Sequence, residues 1–418
     1  MGVRHDSFCG PWEPFCTIAA SWIIENSPLL MKRVYLDYIS GTPLLPEAQA
    51  AMSAWLERVG NPSNHLHREG RVAAAALERA RKAVAALIGA SADEIYFTSS
   101  GTEANTWAIR GLVAAHRTKG KHLVLSAVEH ISLLHTVRRL EREGYEVTHV
   151  PVDATGRVDA AQVERVLRPD TALVSVMWAN HEVGTLQPIA EIARLVRARG
   201  VLFHTDAVAA VGSVEVSVTQ TPVDALSLAA NQFGGPAGVG ALYVREGVGI
   251  TPLFDGGIQE HGRRAGTENL LSIIGTGAAA EVIRQQQHAW FAHRRSLRDA
   301  LEQALRMDHP ACHVFGHPTE RLPGHLCVAF EGIDGESLAL GLDREGVAVV
   351  QSSACTSKVL KASHVLKAMG VPEPLAQGAC LASIGWETTP ADIEQARAAF
   401  HTVVQQLHSL AVVGPLSS

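Results

Sequence analysis

Long apolar runs are missing from this 418-residue chain. None approaches the roughly 20 residues that a membrane helix requires, so no membrane span is expected. An excess of positive charge is missing too. The 36 Lys and Arg against 42 Asp and Glu leave a formal charge of −6, and non-specific nucleic-acid binding needs a basic field. Cysteine is scarce: six residues, widely scattered, do not make a disulfide framework. A reducing, cytoplasmic setting is the expectation. Internal repeats and low-complexity tracts are also absent. What is present is ordinary for a soluble globular protein, with 47% hydrophobic and 19% charged residues. The length allows two or three packed lobes around a large core.

Residues 1–31 read as an extension. They hold Cys9 and Cys16, and their apolar run, Thr17 to Ile24, is short, is followed by Glu25 and lacks a small-residue cleavage pattern. A secretory signal is therefore not expected. The six residues between Cys9 and Cys16 match no common zinc spacing, so no metal site is expected. Met31, Lys32, Arg33 and the strand-like VYLDY mark the start of the packed chain, which makes the preceding piece an extension or the product of an early start codon.

From there, helical and strand patterns alternate. Residues 72–87 (VAAAALERARKAVAAL) have helical spacing, and Gly89 can close the helix. HLVLSAVEH, YEVTHVPVD, TALVSVMWAN and VLFHTDAVAAVG read as strands. ISLLHTVRRLEREG, closed by Gly144, and PIAEIARLVRARG read as helices among them. The alternation predicts an α/β fold: a mostly parallel sheet with helices on both faces. Ligands gather at the carboxyl ends of such strands, which directs attention to Glu129, His130, Asn180 to Glu182, and Asp206. After about residue 280 the pattern changes. A helix over roughly 280–305 leads to a smaller α+β part with LCVAFEGI, a helix from Gly335 to Glu345 and a last helix from Pro390 to about Leu410. The expected division is an extension (1–31), a large domain (32–280) and a small C-terminal domain (281–418) that carries Cys355.

The segment TSSGTEAN (98–105) puts small and hydroxyl residues at a strand-to-helix turn. Free backbone N–H groups there make a phosphate cradle at Gly101 and Thr102. Equally, it reads as a plain helix start with Thr102 as cap and Glu103 in the first turn. Cys355 lies in a polar, small-residue stretch, SSACTS, where packing does not demand sulfur. Cys327 and Cys380 lie in apolar runs and read as core.

In order, the chain carries LDYISGTPLLPEA, GNPSNHLHREGR, FTSSGTEAN, SAVEH, ANHEVGTLQPI, HTDAVAAVG, FGGPAGVGALYV, GRRAGTEN and SSACTS. Over about residues 33–410 this series resembles the cysteine desulfurases, a branch of the class V aminotransferase-like enzymes of pyridoxal-phosphate fold type I. The resemblance implies a seven-stranded-type sheet in a large cofactor domain, a small C-terminal domain and a homodimer with active sites at its interface. It implies pyridoxal phosphate as cofactor, bound to a lysine as a Schiff base, and a cysteine that leaves the reaction as a persulfide. Carried over residue by residue, the ring-stacking histidine falls on His130, the pyridine-nitrogen partner on Asp206 and the phosphate-binding threonine on Thr102 beside Gly101. The threonine serving the neighbouring subunit's phosphate falls on Thr267, and the persulfide cysteine on Cys355. Asn180 and Asn231 are further cofactor-side candidates. Asp206 and His130 also read as a buried strand-end carboxylate and a satisfied core histidine.

The chain departs from the family pattern at the lysine. Anchored on Gly235-Pro236, that position is Gln232, preceded by Asn231 where the family has histidine and by Ala229 where it has a phosphate-binding serine. Ala209 replaces a glutamine near the cofactor, Leu381 replaces the arginine for the substrate carboxylate, and His261 replaces a further arginine. Gln232 has no nucleophilic amine, so any pyridoxal phosphate is expected to be held without a covalent bond. The resulting expectation is a desulfurase-like protein with a degenerate cofactor site, its activity lost or altered, handling sulfur on Cys355. The alternatives are a non-catalytic sulfur-relay or assembly partner, including a heterodimer with an active paralogue, and a repurposed pocket with a different lyase or transferase reaction. A sulfur acceptor or scaffold protein is the partner this reading implies.

Overall fold

The computed structural model describes residues 33–352 and 362–412, so the extension over 1–31 and Cys355 lie outside the described residues. The strands are β1 (Val34–Tyr35), β2 (Ile95–Thr98), β3 (His122–Ser126), β4 (Glu146–Val150), β5 (Thr171–Ser175), β6 (Leu202–Asp206), β7 (Ala225–Ala229), β8 (Gly240–Val244), β9 (Cys312–Phe315), β10 (His325–Phe330), β11 (Val347–Ala348), β12 (Val350–Gln351) and β13 (Cys380–Ser383).

Seven of them form one sheet in the order β2-β8-β7-β6-β5-β3-β4. The pairs from β7 through β4 are parallel, and β8 runs antiparallel to both its neighbours. The central strands are buried at every residue, as a sheet covered on both faces requires. Alternate side chains feed two cores. Val124, Val174 and Phe203 join Val84, Ile192 and Ile283 on one face. Leu123, Leu125, Leu173 and Leu202 join Trp107, Leu112, Leu133 and Val137 on the other. The first face is covered by helices Arg68–Ile88, Ile189–Ala198 and Leu270–Asp308, the second by Gly101–Ala115 and Ile131–Arg142.

Gly89 ends its helix in the left-handed region (φ 70°), as the sequence suggests. The long helix, read from sequence as starting near 280, starts at Leu270, where Asn269 accepts the Ser272 amide. Gly275 and Gly277 blur the periodicity there. They are there for contact: a Cβ on Gly277 would sit 2.6 Å from the Ala80 Cα, so the helices meet backbone to backbone.

The C-terminal part carries a four-stranded antiparallel sheet, β12-β13-β10-β9, with its own core. Strand β1 pairs in parallel with β11, and Val34 and Leu36 pack into that C-terminal core. The start of the packed chain thus joins the smaller part, although the expected division placed it with the large one. VYLDY announces a strand and says nothing of its partner. Among the described residues no helix is long and apolar enough to cross a membrane.

One ion pair is wholly internal. The Arg81 guanidinium grips both Glu260 oxygens (2.6 and 2.8 Å), while Glu260 also accepts the Phe97 amide at 2.7 Å. Glu260 and His261 hold positive φ (49° and 56°), a costly conformation for non-glycine residues that this grip sustains. Removing one partner strands a buried charge. Glu260→Ala is expected to lower stability by about 3–5 kcal/mol in equilibrium urea unfolding, and a loss below about 1 kcal/mol would contradict this role.

Candidate active site

A cavity of about 270 Å³ opens where the carboxyl ends of β3, β5, β6 and β7 face the smaller part. The large sheet supplies His130, His181, Glu182, Asp206 and Gln232, and the smaller part supplies Val350, Gln351, Ser352 and Leu381. Ile39 and Ser40 close it from the N-terminal segment.

Asp206 is the buried end of β6. One oxygen accepts the Val208 amide at 2.9 Å and the other the Asn105 side-chain amide at 2.7 Å. Burial pushes its carboxyl above the usual range, against the opposing pull of His130 and of these two hydrogen bonds. Asn105 also donates to the Ser132 hydroxyl at 3.1 Å, which lies 2.8 Å from His130 Nδ1. That nitrogen accepts the Ser132 amide and caps helix Ile131–Arg142, so the ring carries its proton on Nε2. Burial holds His130 below the usual histidine range. Asn105 went unmarked in the sequence. Its signal was a poor helix former on the buried face of an otherwise apolar helix.

Helix Gly101–Ala115 points its first turn at the cavity. Its cap is Ser100, whose hydroxyl accepts the Glu103 amide at 3.2 Å. Thr102 is therefore not the cap; it is exposed and lines the cavity with its hydroxyl uncommitted to the helix. Gly101 has a packing reason for its size, since a Cβ there would meet Val208 Cγ2 at 2.6 Å.

The remaining candidates separate. Asn231 and Gln232 line the cavity, and the Gln232 amide donates to the Ile39 carbonyl at 2.8 Å. Asn180 does not line it. Its Oδ1 accepts the Glu182 and Val183 amides and its Nδ2 donates to the Val128 carbonyl, while the next residue, His181, takes the place in the wall. Thr267 is exposed and outside the cavity of its own chain. Of the described lysines, Lys82, Lys119, Lys121 and Lys367, none lines the cavity, and no arginine does. Leu381, Ala209 and Ala229 line it instead. Among the described residues no group of His, Cys, Asp and Glu is arranged to hold a metal.

The residues fit pyridoxal phosphate in part. The bare helix start with Thr102 suits a phosphate, and Asp206 with His130 suits a pyridine ring; the buried Asn105 Oδ1 lacks a protein partner. Among the described lining residues there is no amine for covalent attachment and no cation for an amino-acid carboxylate.

Two buried glutamates stand at this end of the sheet: Glu182 lines the cavity and Glu129 does not. Burial pushes Glu182 up to about 7, against hydrogen bonds from Ser352 and Ser363. It pushes Glu129 up to about 8, against those from Ser126 and the Met177 amide. A folded value above the unfolded one means that the folded chain holds the proton more tightly. That contribution is full below the unfolded value and is lost as pH rises through about 8. The stability of Glu129→Gln relative to the native chain should thus improve steadily from pH 5 to 8.5 in thermal unfolding, and a constant difference would contradict the assignment.

The chain matches the class V aminotransferase family model over residues 34–396. It is 47% identical to a cysteine desulfurase of Cereibacter sphaeroides over 387 residues, 92% of this chain and 99% of that one. It is 42% identical to the cysteine desulfurase IscS of Methanosarcina thermophila over 392 residues, 94% and 96% of the two chains. Among solved structures, a NifS-like protein superposes with a TM-score of 0.84 at 33% identity, covering 90% of this chain and all of that one. Likeness of this extent in both sequence and fold places the chain in the pyridoxal-phosphate-dependent class V aminotransferase family, on its cysteine desulfurase branch.

Proposed function

We propose that the chain is a sulfur-handling protein of the desulfurase type that has given up covalent cofactor chemistry and works through Cys355. The observation that carries this reading is the cavity wall: Gln232, which the resemblance sets at the family's lysine position, is tied to Ile39, and no Lys or Arg is present among the described lining residues. Pyridoxal phosphate, when bound, supplies an electron sink for charge developing on an amino acid. Thr102 and the helix start would hold its phosphate, His130 would cover its ring and Asp206 would face its nitrogen. Gln232 can hydrogen-bond there, but it can neither attack the aldehyde nor shuttle a proton as an amine does. Leu381 withholds the charge-assisted pair that an arginine gives a carboxylate, a loss of about 1.5–3 kcal/mol.

The resemblance gives the sulfur role to Cys355, and the described thiols are unsuited to it. Cys312, Cys327 and Cys380 are buried, and burial raises all three, Cys312 to about 11 and Cys380 to about 12. A thiol so shifted is not a thiolate at neutral pH. Exposed Thr267 favours a second element of the reading, that this chain pairs with a second copy or with an active paralogue and completes the neighbour's phosphate site. The strongly exposed apolar side chains Val59, Leu66 and Ile258 support such pairing.

With pyridoxal phosphate and L-cysteine, the purified chain is expected to release sulfide at the rate of free cofactor alone. Mixed with an active desulfurase, it is expected to acquire a persulfide at Cys355 that Cys355→Ser abolishes. Sulfide well above background, or a persulfide unaffected by that substitution, would overturn the reading.

A further inference from the structure

Glu182 is buried, yet it lines the cavity. One of its oxygens, Oε2, accepts two hydroxyls, those of Ser352 and Ser363, each at 2.5 Å. The two serines are themselves buried and fixed. The Ser352 amide donates to the Ala379 carbonyl, and the Ser363 hydroxyl oxygen accepts the Val365 and Leu366 amides at the start of helix His364–Ala368. Glu182 in turn is placed by Asn180, whose Oδ1 accepts its amide at 2.9 Å. The other Glu182 oxygen lies 3.8 Å from His181 Nε2, on the cavity side. Between Ser352 and Ser363 the sequence runs SACTSKVLKA and contains Cys355.

A carboxylate oxygen that takes two hydroxyls is an anchor shared by both. A buried carboxylate costs free energy unless it is hydrogen-bonded, and these two hydroxyls supply those bonds. We infer that Glu182 is a positioning residue, which pins the two ends of the Cys355-bearing segment to the cavity wall and so sets how closely Cys355 approaches the cavity. The inference rests on the reading that Cys355 serves this cavity. It gives Asn180 a task as well, holding Glu182 in place rather than contacting a ligand.

The test measures approach directly. In a Gln232→Cys background, the thiol introduced in the wall forms a disulfide with Cys355 by exchange with oxidised glutathione, and the equilibrium gives their effective concentration. Peptide mapping identifies the bond. Glu182→Leu, which removes the acceptor, and Ser352→Ala with Ser363→Ala, which removes both donors, are each expected to lower that concentration roughly tenfold or more. Glu182→Gln, which keeps an acceptor oxygen, is expected to retain most of it. Should Glu182→Leu not fold, the serine pair, which leaves the carboxylate in place, carries the comparison. Equal values in all variants would overturn the role of Glu182 and leave the Cys355 reading intact. Failure of the disulfide to form in any background, Glu182 included, would overturn the Cys355 reading itself.

Discussion

Desolvation of Asp206 governs this cavity. At the end of β6 the carboxylate has left water, and it is held by one backbone amide and by Asn105. Burial raises its pKa, and His130 and the hydrogen bonds only partly offset that cost. Such a group persists when something in the cavity answers it, and a protonated ring nitrogen would do so. The polar chain from Asp206 through Asn105 and Ser132 to His130 keeps the two candidate ring contacts in register. The strand ends, the helix start at Gly101 and the wall from the smaller part are arranged around that pair.

Around this floor the described lining residues include no Lys or Arg. The resemblance implies a lysine and an arginine that bring positive charge to the cofactor aldehyde and the substrate carboxylate, and it sets Gln232 and Leu381, both in this wall, at those positions. The field over the cavity is accordingly set by Asp206, Glu182 and two histidines that burial keeps low, His130 and His181. The start of helix Gly101–Ala115 offers an anion a partial positive charge. The described lining residues suit a phosphate and a ring, and among them there is no amine or guanidinium. That asymmetry directs attention to Cys355 and to the carboxylate that ties down the ends of its segment.

Much of this was legible from sequence. Buried parallel strands read as apolar runs, and turns such as Gly89 and Gly144 announced helix ends. The motif order fixed which residues follow β3, β5, β6 and β7. The rest was hidden for identifiable reasons. Thr102 and Ser100 are both plausible caps, and only the geometry separates them. In ANHEVG three polar residues stand in a row, and one-residue shifts decide that Asn180 binds the backbone, that His181 faces the cavity and that Glu182 lines it while accepting the Ser352 and Ser363 hydroxyls. Strand β1 is too short to reveal that its partner is β11, more than 300 residues away. The link from Glu182 to Ser352 and Ser363 joins residues 170 and 181 positions apart, and no local pattern announces it.

The claim on which the account turns is that this cavity holds its cofactor, if at all, without a covalent bond. Borohydride reduction of the purified chain equilibrated with pyridoxal phosphate, followed by intact-mass measurement and peptide mapping, tests it. The account predicts no stoichiometric adduct at any one residue and full recovery of the cofactor on denaturation. A single reduced adduct at full occupancy on one lysine would contradict it.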